Sequence, residues 1–355
     1  MLLIVDLALV GAFGVFAGAR LRLPSKPAHL LSWFLLAYAN IVLTCELAGT
    51  FFMLDEIGFH LAIHVLLLGM AIYLWWRAGQ PLLLGPLSGE VARPTWQTVR
   101  ASFTRFPALW ALGSGVILVY LINAIVILIM PPNNWDSMTY HMPRVVHWLQ
   151  RGSFFHWDTP DARQVIFPMN AELGILWTML MSGTDTYVEF VQWSMVAVAG
   201  LGIYGLGRLL GFPRPGSVFA VLLWATLPEI VLQSTSTQND LVVSAFFVSA
   251  VYLLFLGMKT SHNGALVLSG LAFGLAFGAK STMFFVLPGF GLALLGVWWQ
   301  TGRAGLRQLV VWGTSALLMT VLLGLYVYVL NTIYYDNPLG PEDWVDSHAG
   351  TEAEA

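Results

Sequence analysis

The amino-acid sequence predicts an all-α fold: a polytopic transmembrane helical bundle of about ten spans with a large outer loop of short surface helices. Of 355 residues, 57% are hydrophobic and 10% charged, with a mean hydropathy of +0.74, whereas ordinary soluble domains carry about 25% charged residues. Several apolar runs approach the roughly 20 residues that cross a bilayer as a helix, and they lack the alternating pattern of barrel strands. Backbone polar groups in lipid must be satisfied within the segment itself, which favours helices.

Spans are expected near 2–18, 29–52, 57–76, 108–130, 187–207, 216–233, 241–257, 264–280, 283–299 and 309–331. The first, within MLLIVDLALVGAFGVFAGAR, has the apolar core of a secretory signal, but Asp6 stands where a signal needs positive charge; it reads as a retained span. Cys45 is the sole cysteine, which excludes an intrachain disulfide and a cysteine-based zinc site. A small apolar packing role suits it. The net charge is −3 and the sixteen basic residues are scattered. They form no basic stripe, which argues against nucleic acid as a partner.

Arg20, Arg22 and Lys26 come directly after the first span, so the positive-inside rule makes that loop cytoplasmic. Alternation puts Arg77, Arg93, Arg100, Arg105, Arg208, Arg214, Lys259, Arg303 and Arg307 on the same side, making twelve of the sixteen basic residues against one carboxylate, Glu90. One span more or fewer would spread basic loops over both faces. Both chain ends and the outer loop 131–186 are therefore expected away from the cytoplasm, where no nucleotide sugar is available. The chain divides into three regions: N-terminal helices and a cytoplasmic loop over 1–107, a membrane core over 108–335, and a polar tail over 336–355.

The stretch PPNNWDSMTYHMPRVVHWLQRGSFFHWDTPDARQVIFPMNAE, 131–172, gathers ten charged or histidine residues directly after a chargeless run. Pro131 and Pro132 end a span, and Asn134, Asp136 or Ser137 stands ready to cap the next helix. PRVVHWLQR, with Pro143 in its first turn and Gly152 as its stop, is amphipathic and suits a membrane surface. Asp136 has two compatible readings. It is a helix cap, or a carboxylate at the lip of a membrane cavity, tuned by Arg144 or His141 for general-base work.

His141, His147 and His156 fit neither an i,i+4 pair nor a zinc spacing, while Asp136, Asp158 and Asp161 leave a divalent cation open. Arg163 reads as a headgroup-seeking side chain or as a planar fork for phosphate. Glu172 reads as a charge favoured by a helix N-terminus or as a site carboxylate. Asp240 opens the seventh span and Lys280 closes the eighth, where Gly270, Gly274 and Gly278 make a close-packed helix that points the lysine inward. Asp6, Glu46 and Glu229 are ionisable residues of the same kind.

The order of these pieces resembles the polytopic glycosyltransferases of the GT-C superfamily, in particular the dolichyl-phosphate-mannose protein mannosyltransferases and lipid A aminoarabinose transferases, over roughly residues 108–345. NNWDSMTYHMPR is similar to their acidic outer-loop motif, RQVIFPMNAELGILWTMLMSGTDTYVEFVQW to a strap leading into an apolar segment, STSTQND to a later polar segment with Asp, and GLAFGLAFGAKSTMFFVLP to a Gly-rich helix ending in Lys. The resemblance implies inverting transfer of a sugar from a polyprenyl-phosphate donor to a lipid, glycan or protein acceptor, on the outer face of a bacterial inner or plasma membrane. It implies Asp136 as general base, Arg163 and Lys280 as donor-phosphate binders, and Asp240 as a shaper of the pocket. Tyr140, His141, Arg144 and Glu172 join them as substrate-binding candidates. No nucleotide cofactor is expected and no residue is assigned to a metal. Two alternatives stand beside this: a glycolipid transporter or carrier whose outer cavity admits its ligand without chemistry, and, since the chain ends where relatives continue, an inactive truncated partner subunit.

Overall fold

The computed structural model describes residues 1–87 and 96–349. Among them the regular elements are helical: α1 (Leu2–Leu21), α2 (Lys26–Thr50), α3 (Ile57–Arg77), α4 (Trp96–Arg105), α5 (Pro107–Ile129), α6 (Met142–Arg151), α7 (Arg163–Ile166), α8 (Asn170–Ser182), α9 (Phe190–Leu209), α10 (Arg214–Ala225), α11 (Pro228–Gln233), α12 (Asp240–Thr260), α13 (Asn263–Phe277), α14 (Met283–Leu323), α15 (Tyr326–Tyr335) and α16 (Glu342–Ala349). Glu90, Arg93 and the last six residues of the expected tail lie outside the described residues.

Among the described residues seven helices are long and apolar enough to cross a membrane: α1, α2, α3, α5, α9, α12 and the 305–323 portion of α14. The other expected spans are helical but shorter or broken. The 216–233 segment is two helices, because Pro228 has no N–H to continue α10 and instead occupies the first turn of α11. Gly302, at φ 57° and ψ −139°, divides α14, a backbone conformation open to glycine. The expected 309–331 span is interrupted at Gly324, and α15 begins at Tyr326.

The core lies where α2, α8, α12 and α13 meet. Cys45 is fully buried in α2, as its packing role requires. α8 enters the bundle as a buried helix stopped by Gly183 at φ 71°. Its Gly174 lets Tyr38 of α2 come close, since a Cβ there would stand 2.5 Å from the tyrosine oxygen. α5 lies at the periphery, where Ile117, Leu118, Leu121 and Ile125 are exposed and suited to lipid. Asn123 ties it inward, donating to Val231 O at 3.0 Å and Ser234 Oγ at 2.8 Å across the broken α10–α11 pair.

Candidate functional site

The turn after α5 is built by Asn134. Its Oδ1 accepts from the Ser137 backbone N–H at 2.7 Å, and the chain passes through a π-turn at Ser137–His141 into α6. Of the three candidate caps, Asn134 is the one that makes this bond, and Asp136 makes no side-chain cap bond. The Asp136 carboxylate faces outward from the turn instead. Its Oδ1 lies 3.5 Å from Arg163 Nη1, its Oδ2 accepts from Gln238 Nε2 at 3.2 Å, and the side chain remains 35% exposed.

Arg163 is held on three sides. Its Nε and Nη2 donate to Asp161 at 2.9 and 2.8 Å, and its guanidinium lies 4.7 Å over the Tyr140 ring. The Asp161 hydrogen bonds raise its pKa, with burial opposing them. Gln164 Nε2 donates to Thr139 O at 2.8 Å, fastening α7 to the π-turn. Burial pushes the Tyr140 hydroxyl pKa up, and the charges of Glu172 and Asp136 add to the shift.

The polar segment before α12 closes the site from the other side. Thr237 donates to Ser137 Oγ twice, from its backbone N at 3.1 Å and its Oγ1 at 2.6 Å. Gln238 reaches Asp136, Asn239 Nδ2 donates to Ala279 O at 3.3 Å, and Asp240 pairs with Lys280. Three consecutive residues therefore link the Asp136–Arg163 pair to the Asp240–Lys280 pair.

The end of α13 that precedes Lys280 is fixed by Asn170. Its backbone N–H donates to Gly278 O at 2.8 Å, and its Nδ2 donates to Leu275 O at 3.1 Å and Leu323 O at 2.7 Å. The glycine face is as close-packed as its spacing predicts. Added Cβ atoms would stand 2.6 Å from Ala316 N at Gly270, 2.6 Å from Met319 C at Gly274, and 2.3 Å from Asn170 Nδ2 at Gly278.

Behind the turn lies a buried ionic cluster. Glu172 Oε1 meets His141 Nδ1 at 2.7 Å and Arg144 Nη1 at 3.3 Å, and all three side chains are fully buried. Arg144 also donates to Phe167 O at 2.8 Å and lies 4.4 Å over Trp148. The amphipathic α6 thus turns Arg144, Val145 and Trp148 into the protein and leaves His147 and Arg151 exposed. Burial pushes the Glu172 carboxyl up, but the Arg144 charge and the His141 hydrogen bond outweigh it and hold the pKa below the ordinary value. Burial lowers the Arg144 pKa, and Glu172 opposes that shift.

The other two histidines go elsewhere: His147 packs on Trp157 at 5.0 Å, and His156 stacks on Tyr334 at 4.6 Å. Among the described residues no three His, Cys, Asp or Glu side chains converge as a metal site requires. Asn134, Asn170, Gln238 and Asn239 organise the site. Asn134 is legible as a cap and 234–240 as a polar segment, while nothing in composition or spacing singles out Asn170.

Comparison with known proteins finds two similarities, each over part of the chain. Residues 168–335 match the family described as dolichyl-phosphate-mannose-protein mannosyltransferase, a stretch that holds Glu172, Asp240 and Lys280 and begins after Asp136 and Arg163. The lipid A galacturonosyltransferase RgtD of Rhizobium johnstonii is 32% identical over 89 residues, which are 25% of this chain and 18% of that protein. The match therefore spans less than a fifth of that relative's length. No solved structure matches significantly. Both matches are to proteins described as glycosyltransferases.

Proposed function

We propose that the chain moves a sugar from a polyprenyl-phosphate-linked donor to an acceptor hydroxyl, with inversion, at the membrane face that carries residues 131–186 and looks away from the cytoplasm. The observation that supports this most is the junction of the two ion pairs through Gln238, Asn239 and Asp240. Such a transfer needs a base for the incoming hydroxyl and fixed positive charge for the departing phosphate. The acceptor oxygen attacks the anomeric carbon while its proton passes to Asp136. The bond from that carbon to the phosphate oxygen breaks, and its electron pair leaves with the phosphate. A single displacement at one carbon inverts it.

Two cations serve the leaving phosphate in this reading. Arg163 Nη1, whose 3.5 Å approach to Asp136 is looser than the 2.9 and 2.8 Å bonds to Asp161, is its available donor. An ammonium has three donors, so Lys280 keeps others after bonding Asp240. Asp240 aims Lys280, while Tyr140, His141, Arg144 and Glu172 act through the turn that they brace. Membranes containing the chain, given radiolabelled polyprenyl-phosphate sugars, should show transfer that falls about 10²–10⁴-fold in Asp136→Asn. Undiminished transfer in that variant would remove Asp136 from the role.

A further inference from the structure

Beside the site, α1, α2, α8 and α9 line a cavity of about 840 Å³, with Trp177 of α8 in its wall. Leu3 and Val15 mark its extent on α1, and Phe190 and Leu201 mark it on α9. The twelve steps from Leu3 to Val15 amount to about 18 Å of helix, close to the ~15 Å that one leaflet contributes to the hydrocarbon core. The Leu3 and Phe190 end lies at the same end of the bundle as the 131–186 loop, because Trp177 bonds Asp6 there. Tyr187 is exposed at that mouth, the interfacial position tyrosine favours.

Polar side chains on the walls send their donors elsewhere. Tyr38 donates to Asn170 O at 2.8 Å, Trp177 Nε1 to Asp6 at 2.7 Å and Trp193 Nε1 to Tyr120 O at 3.0 Å, while Thr178 and Ser194 bond carbonyls of their own segments. Trp33 Nε1 is buried and unbonded, and Tyr187 stands at the exposed mouth. A cavity for water or a polar ligand would keep such groups facing inward; this one presents carbon. Gly11 extends the space to the backbone, since a Cβ there would meet nothing within 4 Å.

We infer that this groove holds the acyl portion of a phospholipid from the leaflet on the loop side. Its span matches one leaflet, whereas a polyprenyl chain is longer than that. The inference rests on the membrane setting alone and not on the transferase reading.

Purified chain, stripped of lipid and re-exposed to palmitoyl-oleoyl phosphatidylethanolamine, tests it by native mass spectrometry. Wild type is expected to retain phospholipid, and Gly11→Phe, which fills the groove, to retain about tenfold less. Gly115→Phe is the control: it lies on α5 outside the groove, with nothing within 4 Å of an added Cβ, and should behave as wild type. Ala197→Leu on the α9 wall repeats the test if Gly11→Phe does not fold. Equal retention by groove and control variants overturns the inference. So does preferential retention of undecaprenyl phosphate with the same sensitivity at Gly11, which would give the groove to a prenyl chain. Sugar transfer is not read in this experiment, so a negative result leaves the proposed reaction untouched.

Discussion

His156 is buried with neither ring nitrogen bonded, between Tyr334 and Tyr335 at centroid distances of 4.6 and 5.4 Å. Burial, then the Arg144 charge, pushes its pKa down to about 4 from 6.5. Between those values the unfolded chain binds a proton that the folded chain does not, so stability falls as pH drops from 6.5 towards 4. Glu172 acts lower: its folded pKa is depressed, so its contribution is complete above the ordinary 4.5 and disappears as pH falls through the folded value. His156→Phe keeps an aromatic ring in the stack and should flatten the loss of melting temperature between pH 6.5 and 4. A profile identical to wild type would contradict this assignment. At this scale the charged residues are legible because they interrupt an apolar chain. Asn170 is not, because a neutral amide stands out from nothing until partners 105 and 153 residues away are brought to it.

Gly270, Gly274 and Gly278 recur every fourth residue and so share one face of α13. That face is legible from spacing; its partners on α14 and at Asn170 are not. Gly278→Ala would press a methyl group against Asn170 Nδ2 at 2.3 Å and Leu323 O at 2.7 Å, displacing the end of α13 that presents Lys280. Overpacking of this kind costs about 1–3 kcal/mol, and a loss of both thermal stability and transfer is expected. Gly291→Ala, with nothing within 4 Å, should stay within about 0.5 kcal/mol of wild type. Equal effects from the two would show that close packing at Gly278 does not matter. The break at Pro228 escapes hydropathy for a related reason: apolar content averages over a window, while a single missing N–H acts at one residue.

Across the whole molecule, a bilayer selects for length and apolarity, which is why the bundle can be read from the chain. Hydropathy does not report how segments bend or how deep they sit, and four of the ten expected spans, 216–233, 264–280, 283–299 and 309–331, are short or broken in the structure. The proposed orientation has its own test. Cys45 is buried, so an introduced cysteine reports on itself. Trp135→Cys should react with an impermeant maleimide from outside intact cells, and Arg105→Cys only after permeabilisation; the reverse pattern would invert the bundle. The central claim is that Arg163 and Lys280, 117 positions apart in the chain, grip one phosphate. Binding of undecaprenyl phosphate to wild type, Arg163→Gln, Lys280→Gln and the double variant measures this directly. Two cations on one phosphate should couple by about 0.5–3 kcal/mol, whereas strictly additive losses would put them in separate sites and contradict the account.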